Sequence, residues 1–491
     1  MRSLRPWGLA VLLLPALLVS MDLSILFVAA PAISAELAPT ATQWLWMMDV
    51  YGFVMAGLLI TMGGLGDRIG RRRLLMLGAA SFGAASAVLC LAGDPVAFIL
   101  ARALLGVGGA TLAPSTLSLI RGMYPDERRR RAAVGAWTVA FTGGSVAGPV
   151  VGGLMLERFW WGALFLVNVP VMLLLLATAP LLVAESRSPH PVRFDVPGAA
   201  LSFPAILAPV LAMKRIAEHG ADLPGIAAAG GGAVFAAAFV VRQRRAAHPL
   251  VDVGLFRVRA FAAAVGANAA VALAASGLGV LAFTFLQTVH GLSPLRAALS
   301  ALPTVAGTFA GAAAAGALAD RLRTAPLMAA GLTAAAAGFA VVASVGPDTS
   351  PWGFVGGYTV LTFGAGITGT LANTLILATA PPERAGAAAG ISETSAELGA
   401  ALGIAVLGTT AGTVYRTAME ADAPAGTGEA ATQTVAGAVA AAERIGGQAG
   451  TALLDAAASA YTDGVTTAAA VSAALLLLVA AATAVALRGI R

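Results

Sequence analysis

Cysteine, lysine and charge are what this sequence most conspicuously lacks. Its single cysteine, Cys90, lies in an apolar run, which excludes a disulfide framework and a cysteine-rich metal site. Its single lysine, Lys214 in "LAMKRIAEHG", fits no Gly-x4-Gly-Lys-Ser/Thr phosphate loop, so the chain carries no ATPase of its own. Charged residues make up 11% of the 491, where soluble domains carry about a quarter. What fills the chain instead is apolar: 58% of residues are hydrophobic and the mean hydropathy is +0.86. That balance belongs to a polytopic membrane protein. The net charge of +6 does not point to nucleic acid, because the basic residues punctuate apolar runs and form no long tract.

About fourteen apolar segments approach the roughly 20 residues a helix needs to cross the hydrocarbon. They fall at 7–30, 44–64, 74–92, 96–120, 132–156, 162–184, 196–213, 224–241, 261–283, 295–318, 326–345, 352–380, 386–412 and 464–487. Continuous runs predict helices rather than the alternating strands of a barrel, the only two structures that satisfy the backbone in lipid. The expected fold class is an all-α polytopic membrane protein. The first run outlasts a signal-peptide core and reads as a retained span. Placing the N-terminus in the cytoplasm puts Arg71–Arg73, Arg128–Arg131, Arg242, Arg244 and Arg245 inside. Both termini are then cytoplasmic, and residues 413–463 form an outer loop whose Ala-rich stretches predict short surface helices. Abundant Ala and Gly, with arginine nearly replacing lysine, fit a high-GC bacterial genome and hence a bacterial cytoplasmic membrane.

"GGLGDRIGRRRLL" (63–75) is echoed by "GALADRLRTAPLM" (316–328), which predicts two related halves. In the first copy Gly63 and Gly70 allow a tight cytoplasmic turn, while Asp67 can cap a helix or pair with Arg68 or Arg71 as a clasp. Simple enforcement of topology by the arginines is the alternative. Asp320 and Arg321 repeat the pattern in the second copy. Gly144, Gly148 and Gly152 recur every four residues on one helix face, and Pro149 bends the backbone there. This makes either a hinge or a close-packed seam.

These stretches resemble the signature motifs of the major facilitator superfamily. "RALLGVGGA" (102–110) resembles the basic span-four motif of drug/proton antiporters, and "GGSVAGPVVGG" (143–153) the span-five motif associated with export. Fourteen spans match the larger drug/proton antiporter family. "MDLSIL", "QWLWMMDVYGFVMAG", "FLVNVP" and "ETSAELGAALGIAVLG" resemble its QacA/SmvA-like quaternary-ammonium exporters. The resemblance runs along nearly the whole chain. It implies proton-coupled multidrug efflux of hydrophobic, mostly cationic drugs or antiseptics by alternating access, with no cofactor and no metal. It also implies a six-helix bundle over 1–190, two additional transmembrane helices over 191–245, and a second bundle over 246–491, built from inverted repeats.

Chemistry is expected where ionisable groups interrupt lipid-length runs, because such groups are costly there. Asp22, Asp49, Glu393 and Glu397 are the candidates for handling protons or cargo, and the resemblance matches all four to acidic positions of the QacA-like group. Glu393 and Glu397 share one helix face. Asp22 is expected to face a cavity, whereas Asp49 stands near an outer helix end, where it serves either in the site or as a solvated cap. Arg102, in the outer half of span four, is placed to pair with a carboxylate and drive off its proton. Thr308 stands where the QacA group carries an aspartate used for divalent cations, and Ser392 where it has paired acids, which weighs against divalent-cation export. Trp44, Trp46, Tyr51, Trp137, Phe141 and Phe285 offer faces to flat cations, or are ordinary belt and core aromatics. The expected partners are small hydrophobic cations, protons and membrane lipid, with no nucleic acid, and the chain is expected to act as a monomer. No nucleophile-and-base constellation or metal-spaced His/Glu set indicates a membrane enzyme. A dedicated exporter of an endogenous antibiotic, or a non-transporting sensor, remains compatible with the same residues.

Overall fold

The computed structural model describes residues 5–124, 126–187, 195–220, 222–246, 249–251, 253–319, 321–379, 385–424 and 427–488, and among these there is helix and no strand. The helices of the first half are α1 (Arg5–Leu37), α2 (Ala41–Ile69), α3 (Arg71–Cys90), α4 (Pro95–Met123), α5 (Glu127–Leu156), α6 (Ala163–Leu166) and α7 (Asn168–Leu182). Next come α8 (Val196–His219) and α9 (Leu223–Arg245). The remainder are α10 (Arg259–Thr284), α11 (Pro294–Ser300), α12 (Leu302–Ala319), α13 (Thr324–Val342), α14 (Pro351–Thr379), α15 (Ala385–Asp422), α16 (Glu429–Gln433), α17 (Val435–Ile445) and α18 (Gly447–Ala486).

Among the described residues, 13 spans are long and apolar enough to cross a membrane, with α6–α7 and α11–α12 each counting as one. The 29-residue α2 adds another, since its run from Trp44 to Met62 holds a single charge, Asp49. Every apolar segment read from the sequence is thus helical, and the protein is a multi-pass membrane protein.

Local chemistry sets many of the boundaries. Thr40 and Gln43 form a reciprocal capping box at the start of α2, and Asp94, Asp126, Asp222 and Ser293 cap α4, α5, α9 and α11. Pro303 has no N–H to offer the carbonyl one turn back, and the span breaks between α11 and α12 just before it. At the start of α8, Asp195 caps Gly198 and accepts hydrogen bonds from Arg242 at 2.9 Å and Gln243 at 3.1 Å, tying α8 to α9. Burial alone pushes the Asp195 carboxyl up. The hydrogen bonds from Arg242, the Gly198 N–H and Gln243, with the charge of Arg242, outweigh burial and hold it below 3.8.

The expected outer loop at 413–463 requires correction. Most of it is helix: α15 runs on to Asp422, α18 already begins at Gly447, and α16 and α17 fill the stretch between. The cause is composition, since this Ala-rich stretch has one proline, Pro424, and its turn into α18 uses Gly446 at a φ of +65°. At 38 and 40 residues, α15 and α18 extend roughly 60 Å, about twice the hydrocarbon thickness. The short amphipathic helix expected here is α17, packed on α18 and α1.

Packing repeats itself along the chain. α1 lies along α5 as α10 lies along α15, α2 on α4 as α12 on α14, and α3 on α7 as α13 on α18. The seam between α1 and α5 is the glycine face: a Cβ at Gly144 would strike the Leu17 carbonyl, one at Gly148 the Ser24 hydroxyl, and one at Gly152 the Ile25 side chain. Gly399 and Gly403 of α15 approach the Ala269 and Leu273 carbonyls of α10 in the same manner. α8 touches α2 and α15, which brings the α8–α9 pair against helices of both packing sets.

Candidate functional site: a central cavity and two buried ion pairs

A cavity of about 460 Å³ lies between α1, α2, α5, α10, α12, α14 and α15. Its wall includes Tyr51, Phe141, Pro149, Thr308 and Glu397. Glu397 is the one charged residue among those lining it. Glu393, one turn earlier on α15, is partly buried and is not among the lining residues. The backbone of this turn is held by Asn268 of α10, whose amide donates to the Ser392 carbonyl and the Ser395 hydroxyl, each at 3.0 Å. Asn268 was not a sequence candidate, although an amide inside an apolar span is itself a signal. Trp137 stacks on Phe141 with centroids 5.2 Å apart and donates to Thr116, leaving the Phe141 ring as the member on the cavity. Phe285 is fully buried against Phe354 and His290 and is a core aromatic.

Asp22 does not open onto this cavity. Its carboxylate is 1% exposed and meets Arg102 of α4, 0% exposed, at 2.5 Å. Asn168 of α7 donates to the other carboxylate oxygen at 3.4 Å and to Ser86 at 3.1 Å. Tyr51 separates this pair from the cavity: its ring lies 4.6 Å from the guanidinium carbon, and its hydroxyl donates to the Val19 carbonyl. The pairing expected of Arg102 is therefore present, with Asp22 as partner, while the cavity-facing position expected for Asp22 is not. In a helix apolar on all sides, nothing in the sequence marks which way one carboxylate points.

The second pair joins Asp49 of α2 to Lys214 of α8. The ammonium lies 2.9 Å from Oδ1 and 2.8 Å from Oδ2, and 3.9 Å from the centroid of the Trp46 ring. Asp49 is 0% exposed, which removes the solvated-cap alternative. Trp46 belongs to a small apolar cluster with Phe53, Val210, Ala401 and Ala405. Lys214 also lines a second cavity of about 310 Å³ with Trp44, Tyr415, Arg416 and Tyr461. Val435 and Val439 of α17 form another part of its wall. The sequence reading ended this apolar segment at residue 213, one short of the lysine, whereas the helix continues through Ile216 to His219.

Gly70 turns between α2 and α3 at a φ of +111°, and a Cβ there would collide with the Glu185 carboxyl. Glu185 accepts hydrogen bonds from the backbone N–H groups of Arg72 at 3.0 Å and Arg73 at 3.3 Å, capping α3 from beyond α7. The Arg72 guanidinium donates to the Pro180 and Val183 carbonyls. A clasp is therefore present, made by Glu185 and Arg72, which the sequence reading missed. The surroundings of Gly63, the side chain of Asp67 and the whole of Asp320 lie outside what the structure describes. Arg68 and Arg321 are exposed, and Arg71 donates its backbone N–H to the Ser186 carbonyl.

Residues 12–404 match the Major Facilitator Superfamily. Over 473 residues the chain is 43% identical to the multidrug efflux pump LfrA of Mycolicibacterium smegmatis, covering 94% of this chain and 92% of LfrA. It is 35% identical over 407 residues to the methyl viologen resistance protein SmvA of Salmonella typhimurium, covering 82% of each. In fold it resembles a bacterial homologue of the human lysosomal transporter Spinster in an inward-facing, unoccupied conformation, with a TM-score of 0.71 at 19% identity over 99% of this chain and 98% of that one. With its spans, its repeated packing and these relatives together, the chain belongs to the Major Facilitator Superfamily and is a membrane transporter.

Proposed function

We propose that this transporter exports hydrophobic, mostly cationic drugs or antiseptics from the cytoplasm in exchange for inward-moving protons. The observation that carries the reading is Glu397, the one charge among the described residues lining an otherwise apolar and hydroxyl-rich central cavity that also presents Tyr51 and Phe141. One carboxylate in such a place can hold a proton or a cation but not both, which is the minimal exchange device. The likeness to a multidrug efflux pump and to a methyl viologen resistance protein supports the direction and the class of cargo.

The packing sets around α1–α7 and α10–α18 act as two bundles that rock about the cavity, with α8 and α9 added between them. Both termini are cytoplasmic, and the chain acts as a monomer. Asp22 and Arg102 serve as a latch behind the wall: Tyr51 touches both the cavity and the guanidinium, so occupancy and pairing are coupled through it. Glu393 supports Glu397 from the neighbouring turn. The glycine face of Gly144, Gly148 and Gly152, with Pro149, is the sliding seam between α5 and α1. Ethidium uptake into energised inverted membrane vesicles tests the proposal. Wild type should accumulate ethidium and Glu397→Gln should not; equal accumulation by both would move the exchange site elsewhere.

A further inference from the structure

We infer that the Lys214 ammonium occupies a binding site for a small organic cation, built by Asp49 and Trp46 behind the point where Lys214 lines the second cavity. A carboxylate beside the face of an indole is a combination that recognises alkylammonium groups. Here both contacts are filled by the chain's own side chain, at 2.8 Å from Asp49 and 3.9 Å from the Trp46 centroid. Both oxygens of the Asp49 carboxylate face the ammonium, Oδ1 at 2.9 Å and Oδ2 at 2.8 Å, so the whole carboxylate is turned to a cation.

Position makes the site reachable. Lys214 is 2% exposed yet lines the second cavity, whereas Asp49 and Trp46 lie behind it and are not among the lining residues. Withdrawal of the flexible four-carbon stem would open the carboxylate to the 310 Å³ space. A cation leaving through that space and Lys214 would then compete for one carboxylate, and the tethered ammonium would return to displace the cargo outward. Simple stabilisation explains the arrangement poorly, because a buried ion pair generally contributes no more than apolar residues of the same volume. The role of cargo here rests on the export reading above; the existence of the cation site does not.

Lys214 is the only lysine in the chain, so reductive methylation with 13C-formaldehyde reports it alone apart from the N-terminal amine. In purified full-length protein it should label slowly, since its side chain is 1% exposed. Bound tetraphenylphosphonium should raise the rate about tenfold by displacing the ammonium, and Asp49→Asn should raise it without any added cation. Lys214→Ala leaves a cation-shaped vacancy beside Asp49. Millimolar propylammonium should therefore raise the melting temperature of Lys214→Ala while leaving wild type and Asp49→Asn/Lys214→Ala unchanged. Labelling indifferent to bound tetraphenylphosphonium, or a Lys214→Ala protein indifferent to propylammonium, overturns the inference. If tetraphenylphosphonium fails to bind wild type at all, the export reading fails, and the propylammonium experiment alone still decides the site.

Discussion

Deleting Asp22 will cost more than deleting Arg102, although each deletion breaks the same contact. The two groups meet at 2.5 Å with side chains 1% and 0% exposed, and losing one partner of a buried pair costs about 3–5 kcal/mol. In Arg102→Met the remaining carboxyl has an escape: it can take up a proton, which at pH 7 costs about 4 kcal/mol for a carboxyl of ordinary acidity. Asn168 remains as a hydrogen-bond donor to it. In Asp22→Asn the guanidinium has no such escape, because arginine stays charged in proteins. Among the described residues its Nε and Nη2 have no hydrogen-bond partner, so the loss lies near the top of the range, about 5 kcal/mol. The double variant removes both charges and should recover most of the stability, since apolar replacements of buried pairs are often neutral. Melting temperatures of the purified proteins should fall in the order wild type and double variant, then Arg102→Met, then Asp22→Asn. Lowering the pH should rescue only Arg102→Met, by about 1.4 kcal/mol per unit. Transport should be lost in all three. Equal losses at every pH, or additive losses in the double variant, would mean that Asp22 and Arg102 do not act as a buried charge pair.

Three further outcomes are expected. Glu185→Gln removes the charge that caps α3 and should lower stability by about 1–2 kcal/mol in thermal unfolding, with a matching loss of turnover. Gly148→Val drives a side chain into Ser24 and the Met21 carbonyl, so it should separate α5 from α1 and abolish transport, with protease susceptibility rising at that seam. Asp195 titrates below 3.8 in the folded protein, so its contribution is complete above the ordinary carboxylate value and vanishes as pH falls through the depressed one. Wild type should therefore lose melting temperature below about pH 4 more steeply than Asp195→Asn, and parallel curves would remove Asp195 from the account.

Much of the architecture was legible because hydropathy over 20 residues is a strong signal in lipid. The site was legible in its residue types but not in their directions. Asp22, Asp49, Glu397 and Arg102 stand out as charges in apolar runs, yet only packing reveals that Asp22 is sealed behind Tyr51 while Glu397 faces the cavity. Asp49 looked terminal because its apolar run begins at Trp44, whereas Thr40 caps α2 and places Asp49 more than two turns inside. Lys214 was lost to a segment boundary, since Lys-Arg reads as a helix end unless the apolar spacing through Ile216 is followed. Glu185 was invisible for another reason. It acts from beyond the end of α7 on backbone N–H groups more than a hundred residues away, and no local pattern announces a partner at that distance.

Proton exchange at Glu397 is tested by following protons rather than drug. Purified protein reconstituted in vesicles with an internal pH-sensitive dye, held under a pH gradient, should show proton movement that begins when ethidium is added. The flux should be absent in Glu397→Gln. Ethidium transport without any proton movement, or ethidium-dependent proton flux undiminished in Glu397→Gln, would contradict the account.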